Sequence, residues 1–172
     1  LTFDTSVRIN ASKETVDRSA TPKTQMNVAA AIKLRRLYES KPELIELTCN
    51  DGERHKQPDN FKRTRGIGIW GLQGFSEWDE SLIWIGDEHV PILESIREIM
   101  IPESENSLKD YAQLCEHVIA GREIFVSEDE KKHLRKAAQL EPLGIIVKSA
   151  ADTVAYLEQQ YGFDFIDIME TP

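Results

Sequence analysis

Residues 106–130 read NSLKDYAQLCEHVIAGREIFVSEDE, and their order decides the fold. Leu108, Tyr111, Ala112, Leu114, Cys115, Val118 and Ile119 recur with a helical period. Gly121 is placed to end that helix. Ile124, Phe125 and Val126 then make a short, wholly apolar strand, after which the chain turns acidic at Glu128, Asp129 and Glu130. A helix that returns into an uninterrupted apolar strand is what a parallel sheet buried on both faces requires.

The flanking sequence extends the same alternation. C-terminally, EDEKKHLRKAAQL reads as a helix, LGIIV as a strand, and SAADTVAYLEQQYG as a helix capped by Ser149. N-terminally, LTFD reads as a short strand near residues 1–4 that turns at Asp4-Thr5-Ser6. The segment after it predicts a helix capped by Thr21, with Pro22 in its first turn and Met26, Ala29, Ala30, Ile32, Lys33 and Leu37 in period. Lys41-Pro42 ends it, because a residue before proline avoids the α region. ELIELTC predicts a second strand, and PILESIREIMI an amphipathic helix with Ile92, Leu93, Ile96 and Ile99 or Met100 inward. SLIWIGD reads as a further strand or the start of a helix, and FDFIDIME as an edge strand. Helices alternating with short apolar strands predict an α/β fold with a parallel sheet covered on both faces.

Composition sets the outer limits. The 172 residues suit one domain with a substantial core, and 40% hydrophobic with 30% charged residues is a soluble globular balance. No apolar run approaches the ~20 residues of a membrane span, and the N-terminus lacks a signal-peptide layout. Cys49 and Cys115 offer no disulfide framework, and Cys115 with His117 is too closely spaced for a zinc knuckle. A cytoplasmic protein is the simplest expectation. A net charge of −9 argues against broad electrostatic coating of nucleic acid but not against a nuclease whose carboxylates are neutralised by metal.

In an open parallel sheet, ligands bind beyond the carboxyl ends of the strands. Asp4 follows the first strand, Glu53 lies just past the second, and Asp129 lies just past EIFV. Asp110 is expected in the first turn of the helix that feeds that last strand. Each acid alone could cap a helix or solvate a turn; together, at these topological places, they suit Mg²⁺ or Mn²⁺, which favour oxygen ligands. Such ions can activate a water and stabilise the leaving oxygen in phosphodiester cleavage.

At this point the chain resembles the PIN-domain ribonucleases. FDTSVRI resembles the family's opening motif, and ELIELTCNDGERHKQ is similar to its second block, which places the metal-binding acid at Glu53 or, failing that, Asp51. Residues 106–130 resemble the pattern of an Asp on a helix, a small-residue turn, an apolar strand, then Ser or Thr, any residue, and Asp. Those positions are Asp110, Ser127 and Asp129. LGIIVKSAADTVAYL looks like the closing strand and helix. The resemblance fails over about 58–105, expected to be an insertion in a single domain of residues 1–172.

The resemblance implies a three-layer α/β/α fold with a mainly parallel central sheet, and a divalent-metal-dependent endoribonuclease acting on single-stranded RNA. Asp4, Glu53, Asp110 and Asp129 would form the catalytic cluster, with Asp4, Asp110 and Asp129 on the metal. Thr5 and Ser127 would orient these carboxylates by hydrogen bonds. Glu128 and Glu130 are expected to face solvent or help start the next helix. Many small members are toxins, so an antitoxin-like protein and a second copy of the chain join RNA as candidate partners. The alternative is a catalytically silent PIN-like module that binds RNA or protein. A phosphotransfer or phosphatase-like domain would use Asp4 differently and has no supporting motif.

The remaining signals are weaker. GIGIWG at 66–71 matches G-x-G-x-x-G literally, but no strand precedes it and no helix follows, so a glycine-rich loop is expected rather than a dinucleotide site. Lys62, Arg63 and Arg65 are candidate phosphate contacts, with Phe61, Trp70 and Phe75 as stacking surfaces. Arg54, His55 and Lys56 lie beside Glu53 and are better placed to meet a phosphate. Lys131, Lys132, Arg135 and Lys136 read as an ordinary charged helix surface. No histidine has a spaced partner, and no G-x-S-x-G elbow supports Ser/His/Asp catalysis.

Overall fold

The computed structural model describes residues 1–41, 67–68, 83–84 and 87–165. Its centre is a parallel sheet in the order β1 (Thr2–Phe3), β4 (Ile124–Val126), β5 (Ile146–Lys148). Thr2 pairs with Phe125 and Phe3 with Val126, while Ile124, Phe125 and Val126 pair with Ile146, Val147 and Lys148. The central strand β4 is buried throughout. A separate two-residue parallel pair joins β2 (Ile67–Gly68) to β3 (Ile83–Trp84). SLIWIGD therefore contributes a strand, and part of the glycine-rich stretch pairs rather than loops. The strand expected in ELIELTC lies outside the described residues.

Side-chain alternation along β4 divides the core. Ile124 and Val126 join Phe3, α1 (Thr5–Ala11), α2 (Pro22–Ser40) and α6 (Ala150–Tyr161) in one apolar cluster. Phe125 joins Val147, α3 (Val90–Met100), α4 (Glu105–Ile119) and α5 (His133–Leu140) in the other. The period-2 geometry of a strand thus buries the sheet on both faces. A mixed α/β fold with a parallel sheet is observed as expected.

The long helices are bounded as their sequence signals require. Thr21 caps α2 through a bond from the Thr24 N–H, and Ser149 caps α6 through one from the Asp152 N–H. Ser104 and Ser107 form a reciprocal capping box on α4. Because α4 starts at Glu105, Asp110 lies in its second turn rather than its first. Met26 of α2 is largely exposed, and Val28, Ala31 and Leu34 take the inward places.

Three elements depart from expectation. The turn at Asp4-Thr5-Ser6 is the start of α1: Asp4 adopts extended backbone, its carboxylate accepts the Thr5 N–H, and Val7 and Ala11 fall one turn apart on the buried face. The helix expected from residue 128 begins only at His133, because the acids before it are engaged elsewhere. Of the expected edge strand FDFIDIME, residues 163–165 form no strand, with Phe163 and Phe165 packed onto the first core cluster, and 166–170 lie outside the described residues. Of the span 58–105, α3 packs into the second cluster. Its last carbonyls, on Ile99 and Met100, accept the ammonium of Lys136, which is therefore a helix-end ligand rather than ordinary surface.

Behind β1, His117 of α4 is 1% exposed, with Nδ1 2.9 Å from Thr2 Oγ1 and its ring edge-on to Phe125. Arg122 reaches both Thr2 Oγ1 and Glu116. Burial, helped by positive charge that includes Arg122, holds the His117 imidazole down at about 3 from its usual 6.5. The unfolded chain therefore binds that proton more readily, so the stabilisation is full above pH 6.5 and is lost as pH falls from there toward 3. Urea midpoints measured across this window should fall for the wild type and fall much less for His117→Gln. Parallel curves would show that His117 is not the titrating group.

Candidate metal and nucleic-acid site

All three strands of the central sheet end in polar residues on the same side: Asp4 after β1, Ser127 after β4, and Ser149 after β5. Two backbone bonds, from Asp4 N to Val126 O and from Ser127 N to Lys148 O, carry the ladder past the strand ends. They hold Asp4 and Ser127 side by side.

Asp4 is only 8% exposed, and its carboxylate is well supplied with donors. Oδ1 accepts the Thr5 N–H at 2.7 Å; Oδ2 accepts the hydroxyls of Ser127 at 2.8 Å and Ser6 at 3.1 Å. Thr5 thus orients Asp4 through its backbone N–H, and Ser127 through its hydroxyl. His133 Nδ1 lies 3.1 Å from Ser127 Oγ and 3.8 Å from Asp4 Oδ2.

This places a serine, a histidine and an aspartate together, yet not as a nucleophilic triad. Nucleophilic catalysis needs the imidazole between acid and hydroxyl, with the hydroxyl open to substrate. Here the serine stands between the other two and is fully buried. Its hydroxyl is committed to Asp4, and it also accepts the Asp129 N–H at 3.1 Å.

The acidic stretch after β4 divides its labour. Asp129 Oδ1 accepts the N–H groups of Lys131 and Lys132 at 2.9 and 3.0 Å, closing a turn that delays α5. Glu128 does not face solvent: it accepts the Ala150 N–H at the start of α6 and the side-chain amide of Asn27 from α2. Burial raises its carboxyl above the usual range, against the lowering effect of the Ala150 bond and Lys23. Glu130 is exposed and pairs with Lys23.

Asp110 is reached by Lys132, whose ammonium donates to Oδ2 at 2.6 Å. That hydrogen bond, with further attraction from Asp129 and Asp4, holds the Lys132 ammonium above its ordinary pKa. Only Asp110 touches the ammonium directly; Asp129 and Asp4 act on it from further away. Among the described residues, no three His, Cys, Asp or Glu side chains are gathered closely enough to hold a metal ion. The cation that Asp110 meets in this structure is the Lys132 ammonium. Glu53 and Asp51 lie outside the described residues, as do Arg54, His55, Lys56, Lys62, Arg63 and Arg65.

Lys132, His133, Glu128 and Asn27 were not legible as site residues. For Lys132 a signal did exist, since an Asp three residues before a Lys can bond that residue's N–H and fix where its side chain leaves. Glu128 and Asn27 meet across 101 residues, and no local pattern announces that contact.

No protein-family model, curated protein or solved structure matches the chain.

The Ser127 hydroxyl is the sole side-chain donor to Asp4 supplied by the central strand's end, and both groups are buried. Removing one partner of such a bond leaves a charged acceptor short of a donor, a loss of roughly 1–3 kcal/mol. Ser127→Ala should lower the unfolding free energy by that amount in urea titrations, with a smaller effect for Ser6→Ala. Equal, negligible losses from both would show that Asp4 is held by its helix cap alone.

Proposed function

We propose that the chain is a PIN-like, divalent-metal-dependent endoribonuclease whose substrate is single-stranded RNA. The observation that supports this is the placing of Asp4 and Asp129 at the carboxyl ends of neighbouring parallel strands, with Lys132 of the Asp129 turn reaching Asp110 of α4. The two core clusters on either side of that sheet are compatible with a three-layer α/β/α arrangement of the PIN kind. Asp4, Asp110 and Asp129 would hold Mg²⁺ or Mn²⁺, with Glu53 a further acid of the same cluster. A bound ion would supply an activated water and neutralise charge developing on the phosphate.

The chain's own residues would do the positioning. Ser127 and the Thr5 N–H fix both oxygens of Asp4. The Asp129 turn sets its carboxylate at the head of α5, and α4 carries Asp110 to the ammonium of Lys132 in that turn. Arg54, Lys62, Arg63 and Arg65 would meet RNA phosphates. An antitoxin-like protein or a second copy of the chain remains a candidate protein partner.

A silent RNA- or protein-binding module is the second reading, and one observation favours it: the cluster is already neutralised in part by its own lysine. The deciding assay is cleavage of single-stranded RNA with Mg²⁺ or Mn²⁺ by wild type, Asp4→Asn, Asp110→Asn and Asp129→Asn. Asparagine keeps the shape and serves equally well as a helix cap, so the variants should fold while losing at least ~10²-fold in rate. Equal cleavage by all four proteins would trace the activity to a contaminant or another site. Binding without cleavage by wild type would select the silent module.

A further inference from the structure

Two polar side chains of α4 are buried on the same side of the helix. Gln113 is 6% exposed and His117 1% exposed, and their spacing of four residues makes them neighbours one turn apart. Neither Gln113 Oε1 nor His117 Nε2 has a hydrogen-bond partner among the described residues. Burying a polar atom without a partner is costly, and native proteins relieve that cost with a protein group or an internal water.

The surrounding bonds fix which of the two atoms gives and which takes. Arg122 Nη1 donates to Thr2 Oγ1 at 3.4 Å, and a guanidinium can only donate. The Thr2 hydroxyl accepts from Arg122, and its own proton is free for His117 Nδ1, 2.9 Å away. A neutral imidazole carries one proton, so with Nδ1 accepting, that proton resides on Nε2. His117 thus offers a buried N–H, and Gln113, one turn earlier, a buried carbonyl oxygen.

We propose that a single internal water molecule bridges His117 Nε2 and Gln113 Oε1, accepting from the imidazole and donating to the amide. Water meets both demands because it gives and takes at once, and a buried water is held by two to four polar partners. A direct bond from ring to amide is the competing arrangement, and it leaves no place for solvent. The bridge extends a polar line that already runs from Glu116 through Arg122 and Thr2 to His117. It carries that line one turn along α4 toward Asp110, beside a layer otherwise built from Leu114, Cys115 and Phe125.

Oxygen-17 magnetic relaxation dispersion of the solvent counts water molecules held inside a protein and is blind to exchanging protons. The full chain is compared as wild type, Gln113→Leu, His117→Phe and the double variant, each first checked for a native amide spectrum. Each single variant should lose the amplitude of one long-lived water, since one partner does not retain it. The double variant should lose that same single molecule and no more. Unchanged amplitude in either single variant would overturn the proposal. Loss of two molecules in the double variant would overturn it as well, because each side chain would then hold its own. Nitrogen-15 shifts of the wild-type imidazole give a second reading that needs no variant to fold. The proton should lie on Nε2, and a proton on Nδ1 would remove the donor and the bridge with it.

Discussion

The parallel pairing of β1 with β4 is the constraint on which the rest depends. Thr2 and Phe3 contribute only two residues to the sheet, but they lie against Phe125 and Val126 from the far part of the chain. Closing so long a loop carries an entropic cost that grows slowly with length, and burial of Phe3 with Ile124 and Val126 helps to offset it. Once that register is set, Asp4 and Ser127 emerge from neighbouring strand ends, and the 2.8 Å bond between their side chains follows. The same strand of three residues supplies apolar side chains to both core clusters, so one pairing orders the packing on each face and the polar group at its end.

Acidic residues crowded at such an end repel one another. Two carboxylates ~4 Å apart at an effective dielectric near 20 interact by about 4 kcal/mol, a large fraction of the stability of a small domain. The chain disperses this by giving each acid donors of its own. Asp4 caps α1, Glu128 receives the first N–H of α6, Asp129 closes a turn on two backbone N–H groups, and Asp110 takes an ammonium. Helix starts and turns are places where N–H groups lack carbonyl partners, which is why acids at strand ends can be buried at all. Structural satisfaction and a cation site are not rival explanations here, because each carboxylate has more lone pairs than its structural donors use.

Much of this was legible in the sequence where the signal was local. The α2 boundaries at Thr21 and Lys41, the Ser149 cap of α6, the inward face of α3 and the apolar strand β4 follow from capping chemistry and periodicity, and all are observed. So was the topological placement of Asp4 and Asp129. What failed was decided by partners distant in sequence or by competition between local choices. FDTS can turn or start a helix, and burial of Val7 and Ala11 decides for the helix. EDEKK favours a helix start, yet Glu128 is drawn to α6 and Asn27, and Asp129 to its own turn. FDF alternates like a strand, but Phe165 is 1% exposed on the first core cluster without joining a strand.

How the donors are distributed also says which acids are free to do chemistry. Asp4 has donors on both oxygens, three in all among the bonds resolved, and it is nearly sealed from solvent. It is therefore best suited to present a fixed negative charge, with little freedom to reorient toward an ion. Asp129 gathers two backbone donors on Oδ1, an arrangement that directs Oδ2 away from its own turn. Asp110 has its Oδ2 on an ammonium, a side-chain donor that can leave without unwinding a helix or breaking a turn. Backbone N–H groups cannot leave without local unfolding, whereas a lysine head can. The three aspartates are thus held by different means: Asp110 by an ammonium, Asp129 by two backbone N–H groups, and Asp4 by one backbone N–H and two hydroxyls.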